Sequence, residues 1–332
     1  MIMLGGWSHD EPKRPGPMDG HCVRHSAAVQ RRYVGRVTLE MPAPLLPEEI
    51  AHVVAPSGPC RGEALWQGLA WTRTRYRLRM SNGVLSQEGY LAGSDSRRHG
   101  ELQQGMLDPG SKAILAARGG YGALRIVNDL AWPVFVRRPK WIVGYSDITV
   151  LHAMAWRFGI ASIHGPNITG LGQGASPSVR AAWIASLERP GARRQWRGLR
   201  VLHAGEASGI IVGGNLSLLH ALAAAGRLWI PSGAILALED VSEPPYRIDR
   251  MVTSLLLGGY LDRASAIVLG EFERCPPTSD GLSALEVLEQ RTRTLGIPVL
   301  AGAPFGHGAR NEAFVLGAPA VVRGNEVELC PP

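Results

Sequence analysis

Ser146 lies in the stretch of the sequence that is most informative about chemistry, residues 144–147, which read G-Y-S-D. The apolar run before it, residues 141–143, predicts a strand, and residues 148–156 predict a helix. A serine at a sharp strand-to-helix turn stands clear of neighbouring side chains, and a helix N-terminus favours negative charge, so the position suits a nucleophile. The usual motif is G-x-S-x-G, but Ile148 occupies the last position, so helix capping by Ser146 is an alternative interpretation.

Glu239 and His307 also follow apolar strands, which gives the chain order serine, acid, histidine. Acyl transfer by serine needs a base to take the hydroxyl proton and a carboxylate to orient that base. The α/β-hydrolases place their three catalytic residues in the same order. His164 ends another predicted strand and is the alternative base, while Glu239 could instead only cap the turn after it.

The glycine-rich sequence of residues 118–122, R-G-G-Y-G, follows another predicted strand. Glycines at such a turn let backbone N–H groups face a ligand, so this loop predicts an anion or oxyanion site. One amide from the loop, with the amide of Asp147, could hold a tetrahedral oxyanion. A phosphate-binding loop is the competing interpretation, although neither common phosphate-loop motif is present, and a simple tight turn is the third.

Strands and helices alternate along most of the sequence, which indicates βαβ units and therefore an α/β fold with parallel sheets. Ligand sites in such sheets lie at the carboxyl ends of the strands, where the polar residues above are found. The pattern lapses over residues 189–206, which predicts a linker between two domains. The predicted strands before the linker are residues 52–55, 112–117, 141–143 and 161–163. Those after it are residues 209–212, 234–238 and 266–269, with short strands near 314–316 and within 321–329.

The composition excludes several classes of protein. The chain has 332 residues, 45% of them hydrophobic, and a formal charge of +7, but 32 of its 35 basic residues are arginines scattered among acids. We therefore expect no nucleic-acid partner. The four cysteines are far apart, which argues against a metal site or a disulfide framework.

No run of 18 apolar residues occurs, so we expect no membrane-spanning helix. Residues 1–40 carry glycine, proline and charge without periodicity, and they predict a poorly ordered N-terminal extension. They also lack the apolar core of a signal peptide, so a cytoplasmic enzyme is expected.

Ten motifs in consistent order resemble the LD-carboxypeptidase family of serine peptidases, which also contains the microcin C immunity proteins. The resemblance runs from about residue 42 to the end of the chain. The matching residues are 55–57 (A-P-S), 90–95 (Y-L-A-G-S-D), 117–122 (A-R-G-G-Y-G), 144–147 (G-Y-S-D), 164–166 (H-G-P), 213–219 (G-G-N-L-S-L-L), 238–241 (L-E-D-V), 246–251 (Y-R-I-D-R-M), 269–272 (L-G-E-F) and 304–307 (P-F-G-H).

The resemblance implies a flavodoxin-like or amidotransferase-like parallel-sheet domain, residues 42–188, followed by a smaller β/α domain, residues 207–332. The active site would lie between the two domains, usually in a homodimer, with no metal or cofactor. By resemblance, the nucleophile, acid and base are Ser146, Glu239 and His307. The oxyanion hole would use the N–H groups of Gly120 and Asp147, and the residues that contact substrate would be Asn215 and Glu271.

The reaction that the resemblance implies is release of terminal D-alanine from a murein tetrapeptide in cytoplasmic peptidoglycan recycling. Glu271 stands where relatives usually carry aspartate, so an immunity-type hydrolase of aminoacyl-nucleotide analogues stays an alternative. Such an enzyme would need an aromatic platform for the base, and Trp183 or Trp196 could supply it. A non-catalytic protein that binds an anionic ligand on the same scaffold is the alternative from another class.

Overall fold

The computed structural model describes residues 38–60, 62–172 and 174–330. The predicted N-terminal extension, residues 1–40, falls almost entirely outside these described residues. The strands within them are β1 (Ile50–Val54), β2 (Arg77–Met80), β3 (Ala113–Ala116), β4 (Trp141–Gly144), β5 (Ser162–His164), β6 (Arg194–Trp196), β7 (Arg200–His203), β8 (Glu206–Asn215), β9 (Ala234–Val241), β10 (Ala264–Glu273), β11 (Val299–Ala301), β12 (Phe314–Leu316), β13 (Pro319–Arg323) and β14 (Glu326–Leu329).

The helices of the described residues alternate with these strands. They are α1 (Gly62–Arg73), α2 (Asp95–Leu107), α3 (Ala123–Ile126), α4 (Trp132–Phe135), α5 (Thr149–Arg157), α6 (Pro177–Glu188), α7 (Leu216–Ala224), α8 (Pro245–Leu257) and α9 (Ala284–Thr292). The sequence did not reveal α2 or α6. Helix α2 is dominated by polar residues, and its start is capped by Ser94, whose hydroxyl accepts a hydrogen bond from the Arg97 N–H.

The first sheet has six strands in the order β12-β5-β4-β3-β1-β2. Strands β1 to β5 are parallel, and β12 joins the edge antiparallel to β5. The central strands β3 and β4 are buried along their whole length, which explains their unbroken apolar sequences. The predicted α/β fold with a parallel sheet in the N-terminal half is confirmed.

The second sheet has eight strands in the order β6-β14-β13-β8-β9-β10-β11-β7. Its centre, β8 to β11, is parallel, and the flanking strands are antiparallel. The predicted linker, residues 189–206, contains β6 and β7, so much of this stretch belongs to the sheet. Both are edge strands with largely unburied side chains, and for that reason their sequences lack an apolar run.

The two sheets meet near β8. The turn after β4, Ser146–Ile148, packs against β8, and helix α5 packs against both β8 and α7. Because β8 pairs in register with β9, residues at the ends of these two strands are brought close to the turn after β4. None of the described helices is both long and apolar enough to cross a membrane.

Candidate active site

Ser146 begins the turn that follows β4, and its backbone is strained. Its φ is 63°, a left-handed conformation that a serine seldom adopts. Gly144 allows the tight approach of this turn, because a Cβ there would lie 2.6 Å from Asn167 Oδ1. Within the described residues, Ser146 supplies no capping hydrogen bond to the helix that follows. The geometry resembles a nucleophile turn more than a helix cap.

The glycine loop lies directly against this serine. A Cβ on Gly119 would be 2.9 Å from Ser146 Cβ and 3.1 Å from its Oγ. Gly120 has a φ of 108°, and a Cβ on it would lie 3.1 Å from the Cα of Gly58. Glycine at positions 119 and 120 therefore lets the loop backbone approach Ser146 and Gly58 closely.

The buried Asp147 carboxylate ties the same loop to the serine turn, because its Oδ2 accepts a hydrogen bond of 2.8 Å from the Ala123 N–H. Ala123 opens α3, the short helix that follows the glycine loop. Burial raises the pKa of Asp147, and the Ala123 N–H opposes that effect.

Glu239 and His307 form a hydrogen-bonded pair. Glu239 lies near the end of β9 and is fully buried, and its Oε2 is 2.7 Å from His307 Nδ1. Burial raises the pKa of Glu239, while the bond to His307 favours the carboxylate. With Nδ1 engaged by Glu239, Nε2 is the ring nitrogen that remains to take a proton.

Tyr145 connects the serine turn to this pair. Its ring packs on the His307 ring with centroids 4.7 Å apart, and it directly precedes Ser146 in the chain. The hydrogen bonds of residues 38–330 do not include one from Ser146 Oγ to His307. The structure therefore brings the serine turn and the His–Glu pair together through Tyr145. Sequence reasoning did not single out this tyrosine, because its contact with His307 exists only in the folded chain.

A buried polar network behind the site links the first sheet's serine turn to the second sheet. Thr149, the first residue of α5, accepts a hydrogen bond of 3.0 Å at Oγ1 from the Asn215 N–H. Gly214 makes room for this hydroxyl, because a Cβ there would lie 2.5 Å from it. The Asn215 side chain in turn donates to Asp240 Oδ1 at 3.0 Å. Asn215 and Glu239 are paired neighbours on β8 and β9, so this network reaches the predicted acid.

Two predicted substrate contacts lie at different depths. The Asn215 side chain is only 2% exposed, because it caps α7 through Leu218 N and binds Asp240. Glu271 is beside the histidine loop: a Cβ on Gly308 would overlap its carboxylate. Glu271 Oε2 is buried without a hydrogen-bond partner among the described residues, while Oε1 receives a long bond of 3.4 Å from Arg310. Contact of either side chain with substrate stays a prediction.

The alternative base, His164, is fully buried beneath Tyr145 and packs against Phe305 and Phe314. Burial lowers its pKa well below the usual value, and no hydrogen-bond partner for either ring nitrogen occurs among the described residues. His164 therefore lacks the orienting carboxylate that His307 has.

Trp183 and Trp196, which could have stacked on the base of an aminoacyl-nucleotide analogue, also lie in the core. Trp183 is fully buried, and Trp196 is 4% exposed and packs on Phe305 and Phe314. Neither side chain offers an open face to a base.

Arg98 is a site-building residue that the sequence did not reveal. Its side chain is completely buried, and Nη1 donates to the backbone carbonyls of Pro56 and Gly122. It thus joins the loop after β1 to the glycine loop after β3. From the sequence, a charged residue in a polar helix is predicted to be exposed to solvent. Only the folded chain shows that Arg98 is buried and joins the two loops. In the part of the chain that the structure describes, no three His, Cys, Asp or Glu side chains are grouped so that they could hold a metal ion.

The fold and the site define the class of this protein as a serine hydrolase built on two α/β sheets. Residues 51–165 match the family model described as the LD-carboxypeptidase N-terminal domain, and residues 208–322 match the LD-carboxypeptidase C-terminal domain. The chain therefore belongs to the LD-carboxypeptidase family and is a serine-type carboxypeptidase. The family predicted from the sequence motifs is confirmed.

Similar proteins include a carboxypeptidase homologue from Synechocystis sp., 40% identical, with 86% of this chain and 94% of the relative covered. The murein tetrapeptide carboxypeptidase of Pseudomonas aeruginosa is 35% identical over 72% of this chain and 81% of its own. Among solved structures, the muramoyltetrapeptide carboxypeptidase of Oxalobacter formigenes has a TM-score of 0.77 at 26% identity, covering 84% of this chain and 97% of its own. The microcin C7 self-immunity protein, solved with aspartyl sulfamoyl adenosine, shares the fold with a TM-score of 0.80 at 21% identity over 88% of this chain and 99% of its own.

Proposed function

We propose that this protein is an LD-carboxypeptidase that releases terminal D-alanine from murein tetrapeptides through an acyl-enzyme on Ser146. The observation that carries the proposal is the buried Glu239–His307 pair, with a 2.7 Å hydrogen bond, beside the strained Ser146 turn. A base oriented by a carboxylate next to a half-buried serine turn is the arrangement that acyl transfer requires.

The reaction begins when His307 Nε2 takes the Ser146 hydroxyl proton as Oγ attacks the scissile carbonyl. The resulting imidazolium is stabilised by Glu239, which is bonded to Nδ1. His307 then gives the proton to the leaving nitrogen, D-alanine departs, and an acyl-enzyme remains. Water that is activated by the same histidine hydrolyses the ester, which frees the tripeptide and restores Ser146.

The developing oxyanion is held by backbone N–H groups of the glycine loop and the serine turn, here Gly120 and Asp147. Support for this assignment comes from the close packing of the glycine loop on Ser146 and from the Asp147–Ala123 hydrogen bond that fixes the two segments together. Each donor of this kind contributes about 3–4 kcal/mol to transition-state stabilisation.

The choice of substrate follows from the relatives rather than from the geometry. The Pseudomonas aeruginosa relative is a murein tetrapeptide carboxypeptidase, and it is 35% identical over most of this chain. A role in cytoplasmic peptidoglycan recycling, a homodimer, and a first domain that ends at residue 188 are parts of the same proposal.

Release of D-alanine from purified murein tetrapeptide tests the proposal, with wild type compared with Ser146→Ala. We expect release by wild type and none by the variant, with folding unchanged. Ser162→Ala is the matched control, because it removes a hydroxyl from the neighbouring strand β5 that has no hydrogen-bond partner among the described residues. Aspartyl sulfamoyl adenosine is the second substrate to test: its hydrolysis without D-alanine release would replace the murein proposal by the immunity-type activity.

A further inference from the structure

Arg118 is the charged residue of the glycine-rich sequence 118–122, and it has no role in the proposed mechanism. It precedes Gly119, the residue that touches Ser146, and its side chain is exposed. Nη1 donates a 2.6 Å hydrogen bond to the Pro59 carbonyl, which fixes the direction of the guanidinium. The loop that supplies this carbonyl is itself fixed, because the Gly58 N–H donates to the Gly119 carbonyl at 3.0 Å.

The guanidinium lies against the loop that packs on Ser146. A Cβ on Gly58 would be 3.5 Å from Arg118 Nη1 and 3.5 Å from the Cα of Gly120. Burial raises the pKa of the Tyr145 hydroxyl, and the positive charge of Arg118 opposes this rise. Tyr145 in turn packs on His307 and is adjacent to Ser146. A cation is therefore held at the rim of the catalytic site.

Other arginines around the site already have acidic partners. Arg97 pairs with Glu101 at 2.7 Å, and Arg310 pairs with Glu271 at 3.4 Å. Arg98 is bonded to Asp95 and to two carbonyls. The salt bridges found among the described residues do not include Arg118, which leaves its charge available to a ligand.

We propose that Arg118 binds the free carboxylate of the substrate's terminal residue, the one that leaves. A peptidase that removes only the last residue must distinguish a terminal carboxylate from a continuing peptide bond. A guanidinium can make two parallel hydrogen bonds to a carboxylate, which a neutral amide cannot match. The bond to Pro59 uses one N–H group and leaves others for this contact. The inference rests on the proposed function and identifies Arg118 as its specificity-determining residue.

The test compares two substrates, the murein tetrapeptide and the same peptide with a C-terminal carboxamide, which would release D-alaninamide. We expect wild type to prefer the free carboxylate by about 100-fold in kcat/KM, because the carboxamide cannot accept the paired, charge-assisted hydrogen bonds of the guanidinium. Arg118→Gln should lose about 100-fold on the free acid, mainly through KM, and should cleave the carboxamide as wild type does. Arg118→Lys should fall between them.

Arg125→Gln is the matched control, since Arg125 lies just beyond the same loop but pairs with Asp95. It should keep the wild-type preference. An unchanged preference in Arg118→Gln would overturn the role of Arg118 while leaving the peptidase proposal in place.

A binding measurement separates this inference from the proposed function. Calorimetric titration of Ser146→Ala with the two peptides reports recognition without turnover. We expect the free acid to bind at least tenfold more tightly, and the difference to vanish when Arg118→Gln is added. A wild type that cleaves neither peptide would refute the proposed function, and equal binding of the two peptides would refute the carboxylate site.

Discussion

Replacing Glu239 by Gln should separate activity from stability. The substitution keeps the shape of the side chain and an oxygen that can accept a hydrogen bond from the His307 Nδ1–H, but it removes the negative charge. Two unit charges about 4 Å apart attract by about 4 kcal/mol at an effective dielectric of 20. If Glu239 stabilises the imidazolium in the transition state, kcat should fall about a thousandfold.

The same Glu239→Gln substitution should not lower the free energy of unfolding, although it lowers kcat. Burial raises the pKa of Glu239, which means that the fold penalises its charge. Removing that charge relieves the penalty, so we expect the free energy of unfolding at pH 7 to stay constant or to rise. D-alanine release and urea unfolding, measured on the same preparations, give the two quantities.

Asp240→Asn is the matched control on the same strand. Asp240 accepts hydrogen bonds from Asn215, Val241 and both the N–H and hydroxyl of Ser217. An amide cannot accept them all, and each buried donor left unpaired costs about 1–3 kcal/mol. This variant should therefore lose stability. A Glu239→Gln enzyme with activity within about tenfold of wild type would refute the catalytic reasoning for Glu239.

Three further perturbations have defined outcomes. Thr149→Val leaves the buried Asn215 N–H unpaired and should lower the free energy of unfolding by about 1–3 kcal/mol, whereas Thr149→Ser should restore it; equal urea midpoints for the two would contradict the network. Gly119→Ala should keep the fold but cut kcat more than tenfold, since its Cβ would lie 2.9 Å from Ser146 Cβ, and full activity would show that this contact is unimportant. Burial lowers the pKa of His152 to about 4, from 6.5, so the neutral ring contributes stability above pH 6.5. Roughly 3 kcal/mol of that stability should be lost as the pH falls to 4, and a flat profile of urea midpoints would argue against it.

Much of the fold could be predicted because apolar strands alternate with amphipathic segments. Strands β3 and β4 are buried throughout and have continuous apolar sequences, and β9 begins with the apolar run 234–238. The edge strands β6 and β7 carry arginines and few apolar residues, so no local pattern distinguishes them from a connector.

The candidate site divides in the same way. Ser146, Glu239 and His307 could be proposed because each follows an apolar run of the sequence and carries the required chemistry. Thr149 could not, because its hydroxyl becomes important only when residue 215, from another sheet, donates to it. Arg98 was missed because a charged residue is normally predicted to lie on the surface. In the folded chain its buried guanidinium donates hydrogen bonds to backbone carbonyls of two loops. Contacts between segments distant in the chain leave no periodic signal.

Strand β12 has a consequence for how the chain folds. Residues 314–316 come from near the end of the sequence, yet they close one edge of the first sheet by pairing with β5. A growing chain that has completed only its first half would present β5 as an open edge, with unpaired N–H and C=O groups available to other chains. The edge of the first sheet at β5 therefore stays unpaired until β12 has been synthesised and has paired with it. The two sheets should unfold in one cooperative transition, and fragments cut between them should aggregate rather than fold separately.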